Sequence, residues 1–379
     1  MSVNFNVLGL IFASLHDSSL REMTELRTMG SVPFGGRYRL IDFPLSNFVN
    51  SGISEVGVIT KHNYGSLLDH IGSGRDWDLA RKRGGIHILP PYSRTDNREG
   101  MYTSRLDALK NVWSYVDHSK AKYVILSNAN FVATIDFDPI LEQHISTGSD
   151  ITLVYGTGYY EKEKRTHPAK NTVLEFDNEN YFVSAMVDPD FSGECKIWLE
   201  TMIVSKNVLS NIVSSASSSG IYSFTKSILQ TSGHVYKIMG YEHKDVFMRI
   251  DSMQSFYKAN MALLDADTRN ALFPKGRPVF TKVGDNAPVH YGIDAKVKNS
   301  LIADGCIIEG TVENSILFRG VRVAKGAVVK NCVLMQGTIV GADSDINAMI
   351  TDKNVEVQEN AVHTCSVQHP LFIGKGGKA

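Results

Sequence analysis

The sequence is short of three things: cysteine, net charge and long apolar runs. Only four of its 379 residues are cysteines, and no two of them form a CxxC pair. A chain of this length needs no disulfide framework, so we expect free thiols in a reducing cytoplasm. Lysine and arginine number 39 against 40 acidic residues, and the net charge of −1 provides no field that would attract nucleic acid or an anionic membrane. No apolar window reaches the roughly 20 residues of a membrane span. Neither nucleic acid nor a membrane is expected as a partner.

What the sequence does contain is typical of a folded protein with more than one domain. Hydrophobic residues make up 43% of the chain and charged residues 21%, which is enough for a full core. The apolar start, residues 5–13, follows no basic segment and runs into His16 and Asp17, which favours a buried first strand over a signal peptide. At roughly 100–200 residues per domain, the length indicates two or three domains, and we expect two.

The first two thirds of the chain alternate apolar, strand-like runs with amphipathic segments. This pattern predicts a mostly parallel sheet with helices on both faces, that is, a Rossmann-like α/β domain. The carboxyl ends of its strands should form a ligand crevice. The expected strands are Asn6–Phe12, Glu55–Thr60, Tyr123–Ser127 and Ile151–Tyr155, and the expected helices are Leu45–Asn50, Tyr64–Ile71 and Ser104–Val116.

The last third carries a repeat of a different kind. The segments NSLIADG, NSILFRG, NCVLMQG and a weaker NAMITDK begin at 299, 314, 331 and 347. One such unit cannot bury its apolar side, so the copies must stack as in a β-solenoid. The finer spacing of about six residues indicates hexapeptide coils of a left-handed parallel β-helix. We therefore expect an α/β domain over 1–262, a connector over 263–288 and the β-helix over 289–379.

Several motifs resemble one family of sugar-nucleotide-forming enzymes. The stretch VPFGGRYRLIDFPLSN at 32–47 and the NSGI at 50–53 resemble the signature of glucose-1-phosphate adenylyltransferases, the ADP-glucose pyrophosphorylases of glycogen synthesis. The segments IGSGRDWDL at 71–79, FYKANMALL at 256–264 and LIADGCIIEGTVENSIL at 301–317 resemble that family in the same order. The resemblance covers nearly the whole chain and implies a nucleotidyltransferase-like domain followed by a β-helix.

Catalysis in such an enzyme has clear physical requirements. Attack of a sugar phosphate on the α-phosphate of ATP concentrates negative charge. The site therefore needs Mg²⁺ held by carboxylates, backbone amides around the phosphates, and lysines or arginines as clamps.

The phosphate-binding parts that the resemblance implies are missing. The family's glycine-rich turn, GGxGxRL, corresponds to SLHDSSL at 14–20, where Asp17 replaces a glycine and Ser19 replaces the clamping arginine. The position of a following lysine is Met29. The position of the lysine that binds the sugar phosphate is Asp188, which would face an anion.

The metal ligands that the resemblance implies are also replaced. Asn130 stands at the position of the first metal aspartate and Arg249 at the second, so no metal site is predicted. Asp251 lies on the same face of an extended strand as Arg249, about 7 Å away, and Asp136 matches a further family aspartate. Either could act as a substitute ligand, which keeps a weakly active enzyme open as an alternative.

Two arginines are candidates for effector binding. Arg37 and Arg39 flank the glycine turn of the signature, in a neighbourhood that binds anionic effectors in the family, although a solvated face is an equal alternative. The resemblance to the regulatory GlgD-type subunit then implies a degenerate partner of a catalytic subunit, in a mixed oligomer that is expected to be a tetramer. No cofactor is expected for this chain, and Mg²⁺ would belong to the catalytic partner. A third hypothesis, a hexapeptide acyltransferase using His290 or His363, rests on the β-helix alone.

Overall fold

The computed structural model describes residues 6–91, 102, 104–160, 171–219, 224–225, 229 and 235–379. The first domain contains thirteen strands among these residues: β1 (Val7–Phe12), β2 (Pro33–Phe34), β3 (Tyr38–Arg39), β4 (Glu55–Ile59), β5 (Gly85–Leu89), β6 (Tyr123–Asn128), β7 (Phe131–Ala133), β8 (Ile151–Tyr160), β9 (Thr172–Phe176), β10 (Phe182–Val187), β11 (Gly193–Ser205), β12 (Ile238–Glu242) and β13 (Phe247–Arg249).

The same part of the chain contains eight α-helices among the described residues. They are α1 (Arg21–Thr24), α2 (Asp42–Asn50), α3 (Gly65–Ile71), α4 (Arg105–His118), α5 (Phe137–Thr147), α6 (Lys206–Ser219), α7 (Met253–Ala262) and α8 (Ala266–Leu272). The α8 helix lies within the segment 263–288 that the sequence analysis treats as a connector. The four strands and three helices expected from the sequence are all present, with ends that differ by a few residues.

The central sheet is mixed rather than mostly parallel. Strands β6, β1, β4 and β5 lie side by side and run parallel, as expected. The long strand β11 is antiparallel to both β6 and β8. The difference arises because β9, β10 and β11 follow one another without helical crossovers, and short connections join antiparallel strands.

The β-helix consists of three parallel sheets of five strands each. Each sheet takes one strand from every coil, so the repeats stack as the sequence predicts. The strands are β14 (His290–Tyr291), β15 (Lys296–Lys298), β16 (Leu301–Ile302), β17 (Ile307–Ile308), β18 (Thr311–Glu313), β19 (Ile316–Leu317), β20 (Arg322–Val323), β21 (Val328–Lys330), β22 (Val333–Leu334), β23 (Ile339–Val340), β24 (Asp345–Asn347), β25 (Met349–Thr351), β26 (Glu356–Val357), β27 (Val362–Thr364) and β28 (Leu371–Ile373).

The weaker fourth repeat is shifted by one residue in the structure. Asn299, Asn314 and Asn331 occupy coil corners with positive φ, a conformation that asparagine tolerates well. In the next coil Ala348 takes the corner, with φ of 55°, because Val333 pairs with Ile350. The side chain of the preceding Asn347 still accepts a hydrogen bond from that of Asn331 at 2.8 Å, so the polar ladder continues despite the shift.

The two domains share one apolar core. Phe43 and Phe256 of the first domain belong to the same buried cluster as Ile316, Val333 and Ile350 of the β-helix. The hydroxyl of Tyr257 also donates to the backbone oxygen of Asn331 at 2.6 Å. The sheet that contains β19, β22 and β25 is therefore covered by α7. This contact fixes the orientation of the two domains.

Two further expectations can be compared with the described residues. The cysteines are all free, as predicted. In the part of the chain that the structure describes, no helix has the length and apolar character that a membrane crossing requires.

Candidate nucleotide site and interdomain cation cluster

The carboxyl ends of the parallel strands β1 and β6 meet at one edge of the sheet, where α/β proteins bind ligands. His16 follows β1, and Asn128 ends β6. Both side chains turn toward Glu200, which lies in the middle of β11. His16 Nε2 is 2.7 Å from Glu200 Oε2 and 2.9 Å from the Asn128 amide nitrogen. The place where a ligand crevice is expected is therefore occupied by the side chains of His16, Asn128 and Glu200.

Glu200 is the centre of a buried ion cluster. A guanidinium nitrogen of Arg105, at the start of α4, donates to Glu200 Oε2 at 2.7 Å. The guanidinium of Arg249 on β13 lies 3.6 Å from Glu200 Oε1. These contacts to His16, Arg105 and Arg249 hold the pKa of the Glu200 carboxyl well below its usual range, although burial alone would raise it. Glu200 is therefore ionised, and it is held by two guanidinium groups and by the ring of His16, which come from three separate segments.

The backbone at Glu200 has an unusual conformation. Its φ is 53°, and the pairing of β11 with β8 shifts register between Trp198 and Thr201. Left-handed backbone is costly for a residue with a long side chain and is found where the surroundings compensate for it. Here the bulge directs the carboxylate into the cluster, and Arg105 lies against the ring of Trp198 at 4.6 Å.

The loop that the sequence predicts to stand in place of the family's glycine-rich turn makes hydrogen bonds within itself. The Asp17 carboxylate accepts a hydrogen bond from the backbone amide of Met29 at 2.7 Å, and burial raises the pKa of Asp17 to about 7. Ser19 and Met29 are both buried. The amide of Met29 is therefore used within the loop, and the aspartate would repel a phosphate from this place.

The two positions expected for metal ligands lie side by side. Strand β13 pairs with β7, so Arg249 faces Phe131 and adjoins Asn130. Arg249 lies between two carboxylates, because its Nε is 3.5 Å from Asp251 and its other end approaches Glu200. Both carboxylates near these positions thus face a guanidinium. This donor set does not fit Mg²⁺, which prefers several free oxygen ligands.

Two other residues singled out in the sequence have structural partners. Asp188 accepts a hydrogen bond from the hydroxyl of Tyr160 at 3.0 Å, and Tyr160 lines the same pocket as Arg249 and Asp251. Asp136 caps α5 and forms an ion pair of 2.6 Å with Arg277. Asp136 is thus engaged in holding the end of α5. Among the described residues, no group of three or more histidine, cysteine, aspartate and glutamate side chains is arranged to hold a metal ion.

A second cluster of charges lies between the domains. A guanidinium nitrogen of Arg27 is 2.8 Å from the Asp352 carboxylate of the β-helix, and both side chains are only 4% exposed. The other terminal nitrogen of Arg27, Nη1, is buried without a hydrogen-bond partner among the described residues. Burial and the nearby Arg39 and Arg27 lower the pKa of Lys353 to about 8, with a further contribution from Lys375. Asp42 and Asp69 also lie near Arg39. Four described cations, Arg27, Arg39, Lys353 and Lys375, therefore face three carboxylates, and the remaining positive charge is suited to an anion.

The structure separates the two arginines proposed for effector binding. Arg39 belongs to the interdomain cluster, donates to Ser66 at 2.6 and 2.8 Å, and has its pKa lowered to about 10 by burial. Arg37 is exposed and lines a different groove of about 520 Å³, beside Tyr38 and Phe273. Of the two arginines, only Arg39 therefore lies with the buried Arg27 and the half-buried Lys353.

Sequence reasoning missed most of these residues. Glu200, Arg105, His16, Arg27 and Lys353 are far apart in the chain, and their partners come from different elements. The one available signal is the isolated acid in the apolar run IWLETMIV at 197–204, since an unpaired carboxylate is rarely buried. A lone acid in such a run indicates that Glu200 has a cationic side chain beside it, but it does not identify that side chain.

Comparison with known proteins agrees with this architecture. Residues 9–264 match the nucleotidyl transferase family, and residues 288–366 match the family described as GlmU-like, C-terminal hexapeptide. The glycogen biosynthesis protein GlgD of Bacillus subtilis is 33% identical over 375 residues, which is 98% of this chain and 97% of that protein.

Two further relatives show the same relationship. GlgD of Geobacillus stearothermophilus is 34% identical over 86% of this chain and 84% of its own length. The glucose-1-phosphate adenylyltransferase of Clostridium perfringens (strain SM101 / Type A) is 31% identical over 88% of this chain and 85% of its own length. A nucleotidyltransferase domain joined to a hexapeptide β-helix defines the class of protein. Within this class, the chain belongs to the ADP-glucose pyrophosphorylase family.

Proposed function

We propose that this chain is a non-catalytic, regulatory subunit in glycogen biosynthesis, and that it assembles with a catalytic ADP-glucose pyrophosphorylase subunit. The observation that carries the proposal is Arg249, whose guanidinium lies between Glu200 and Asp251 where the family's reaction needs a divalent cation. Asp17 in the phosphate loop supports the same conclusion. The GlgD proteins of Bacillus subtilis and Geobacillus stearothermophilus match this chain over most of their length.

The proposal assigns no cofactor to this chain and places Mg²⁺ in the catalytic partner. We expect a mixed tetramer in the cytoplasm, in which this subunit changes the activity of its partner through contact between the subunits. Such an effect requires that the chain bind the active and less active states of the partner with different affinity.

The first experiment measures ADP-glucose formation from ATP and glucose 1-phosphate with Mg²⁺. The chain alone, a catalytic relative alone and the two together are assayed at equal subunit concentrations, and light scattering measures the mass of the mixture. We expect no activity from the chain alone, a mixed tetramer, and a changed rate or effector response in the mixture. Unchanged kinetics together with no association would contradict the proposal.

A weakly active enzyme is the second candidate, because the carboxylate of Asp251 still lines the pocket. This hypothesis predicts slow ADP-glucose formation by the isolated chain. The substitution Asp251→Asn should abolish that activity, whereas Asp285→Asn, at an exposed position in the connector, should leave it intact. Complete inactivity of the isolated chain at high concentration would remove this candidate.

The interdomain cluster is the proposed site for an anionic effector. Arg27, Arg39 and Lys353 would hold the anion, and the unpartnered nitrogen of Arg27 is available to donate to it. With inorganic phosphate as the probe, Lys353→Gln should weaken binding by about tenfold, or about 1.4 kcal/mol. Lys325→Gln, at an exposed position of the same domain, should not. Because the pKa of Lys353 is about 8, phosphate should also bind more weakly at pH 9 than at pH 7.

A further inference from the structure

The ion cluster around Glu200 has the composition of a phosphate-binding site whose anion is a side chain. His16 follows β1, Arg105 begins α4 and Arg249 ends β13, and all three approach one carboxylate. Arginine is the side chain whose planar, forked donors best match the oxygens of carboxylate and phosphate. The carboxylate thus occupies the place that an anionic ligand would need.

Among the described side chains of this cluster, the arginines and the carboxylates are equal in number. Arg105 and Arg249 contribute two positive charges, and Glu200 and Asp251 contribute two negative ones. An oligophosphate entering this arrangement would add several uncompensated negative charges in a buried place. Loss of the Glu200 charge would instead leave an excess of positive charge, with Arg105 and Glu200 both less than 10% exposed. Among the described side chains of the cluster, the net charge therefore changes sign with Glu200.

There is also a route from solvent to the cluster. A pocket of about 280 Å³ is lined by Arg249 and Asp251, and the exposed Lys258 stands at the same pocket. Asn130 adjoins Arg249, and neither polar atom of its buried carboxamide has a hydrogen-bond partner among the described residues. Arg249 thus lines the pocket and also lies 3.6 Å from Glu200, so it can meet a ligand from the pocket side.

We propose that Glu200 is an intramolecular anion that closes the pocket to phosphate ligands, and that His16, Arg105 and Arg249 bind an oligophosphate without a metal ion once its charge is removed. In the native chain the result is a subunit that does not compete with its partner for nucleotide or pyrophosphate. This inference goes beyond the regulatory role, since it concerns the pocket alone and can be tested without a partner.

The test uses the full chain, EDTA and inorganic tripolyphosphate as the probe. Calorimetry at low ionic strength compares the wild type with Glu200→Gln, which keeps the size of the side chain and removes its charge. Glu194→Gln is the matched control, because it removes the same charge from an exposed position on the same strand. We expect Glu200→Gln to bind tripolyphosphate at least tenfold more tightly than the wild type and the control.

Two further measurements test whether Arg249 holds the anion and whether Glu200→Gln is folded. The double variant Glu200→Gln, Arg249→Gln should lose most of the gained affinity, because one of the arginines is then absent. If Glu200→Gln alone is unstable, tripolyphosphate should restore its folding and raise its Tm, and should have no such effect on Glu194→Gln. A Glu200→Gln variant that neither binds tripolyphosphate more tightly nor is stabilised by it overturns the proposal.

Discussion

Asp17 shows how one buried residue makes the stability of a loop depend on pH. Its carboxylate accepts a hydrogen bond from the amide of Met29, and burial raises its pKa from 3.8 to about 7, with Lys61 partly opposing the shift. An acid whose pKa is higher in the folded state holds its proton longer in that state. Between about pH 4 and pH 7 the unfolded chain loses this proton first, so folding stability falls as the pH rises.

We predict that Asp17→Asn stabilises the protein at pH 8 and has little effect near pH 4. The amide can still accept the hydrogen bond from Met29 but does not ionise, so the cost of a buried charge disappears. The gain is a few kcal/mol at most, because one pKa unit corresponds to about 1.4 kcal/mol. Urea unfolding at both pH values measures it, with the exposed Asp285→Asn as control. A variant that is less stable than the wild type at pH 8 would show that the charge itself is needed.

At the scale of elements, the stacked coils of the β-helix leave no room at certain positions. Gly310 precedes β18, and a Cβ atom there would lie 2.4 Å from the backbone oxygen of Ala327 and 2.7 Å from that of Ala324. These are backbone atoms of the next coil, which cannot move without disturbing the ladder between β18 and β21. Any side chain added at Gly310 would therefore push two adjacent coils apart.

We predict that Gly310→Ala lowers the free energy of unfolding by about 1–3 kcal/mol, as expected for overpacking in a rigid interior. Gly276→Ala is the matched control, since nothing lies within 4 Å of its added Cβ. It should change stability by less than about 0.5 kcal/mol. Urea unfolding followed by circular dichroism compares the two variants. Equal effects from both would mean that the coils can separate at little cost.

At the scale of the whole molecule, the domains are joined by a shared core and by one buried ion pair. The pair between Arg27 and Asp352 connects the loop after β1 to the last part of the β-helix. His16, near the start of the same loop, is bound to Glu200. The segment 16–27, which includes α1, thus contacts the Glu200 cluster at one end and the interdomain cluster at the other.

We predict that Asp352→Asn costs about 3–5 kcal/mol, because it leaves the charge of Arg27 buried without its partner. The double substitution Arg27→Met, Asp352→Leu should cost less than Asp352→Asn alone, since no uncompensated charge remains. Urea unfolding of both variants measures the difference. If the double variant is instead the less stable one, the attraction between Arg27 and Asp352 stabilises the fold by more than the desolvation of the two charges costs.

We also predict that the two domains of the wild type unfold together, because residues of both contribute to one apolar cluster. The chain has three tryptophans, Trp77, Trp113 and Trp198, all in the first domain, so their fluorescence reports its unfolding. Far-ultraviolet circular dichroism also reports the β-helix. The two signals should change at the same urea concentration, and separate transitions would contradict a shared core.

The sequence by itself determined the elements and the architecture. Alternating apolar runs, the period of the C-terminal repeat and the family signature at 32–47 are local patterns, and local patterns determine strands, helices and coils. The prediction that Asn130 and Arg249 stand at metal-ligand positions rests on a local pattern too, because a motif keeps its spacing. The antiparallel position of β11 could not, since the pairing of a strand depends on partners distant in sequence.

Only the tertiary structure decided what fills the site. Glu200 meets His16, Arg105 and Arg249 across separations of up to 184 residues, and Arg27 meets Asp352 across 325. No local pattern encodes such contacts, because the strength of a buried charge pair depends on distance, burial and the other charges around it. The sequence therefore predicted positions at which ligands are replaced, whereas the folded chain showed which carboxylate and guanidinium groups meet there.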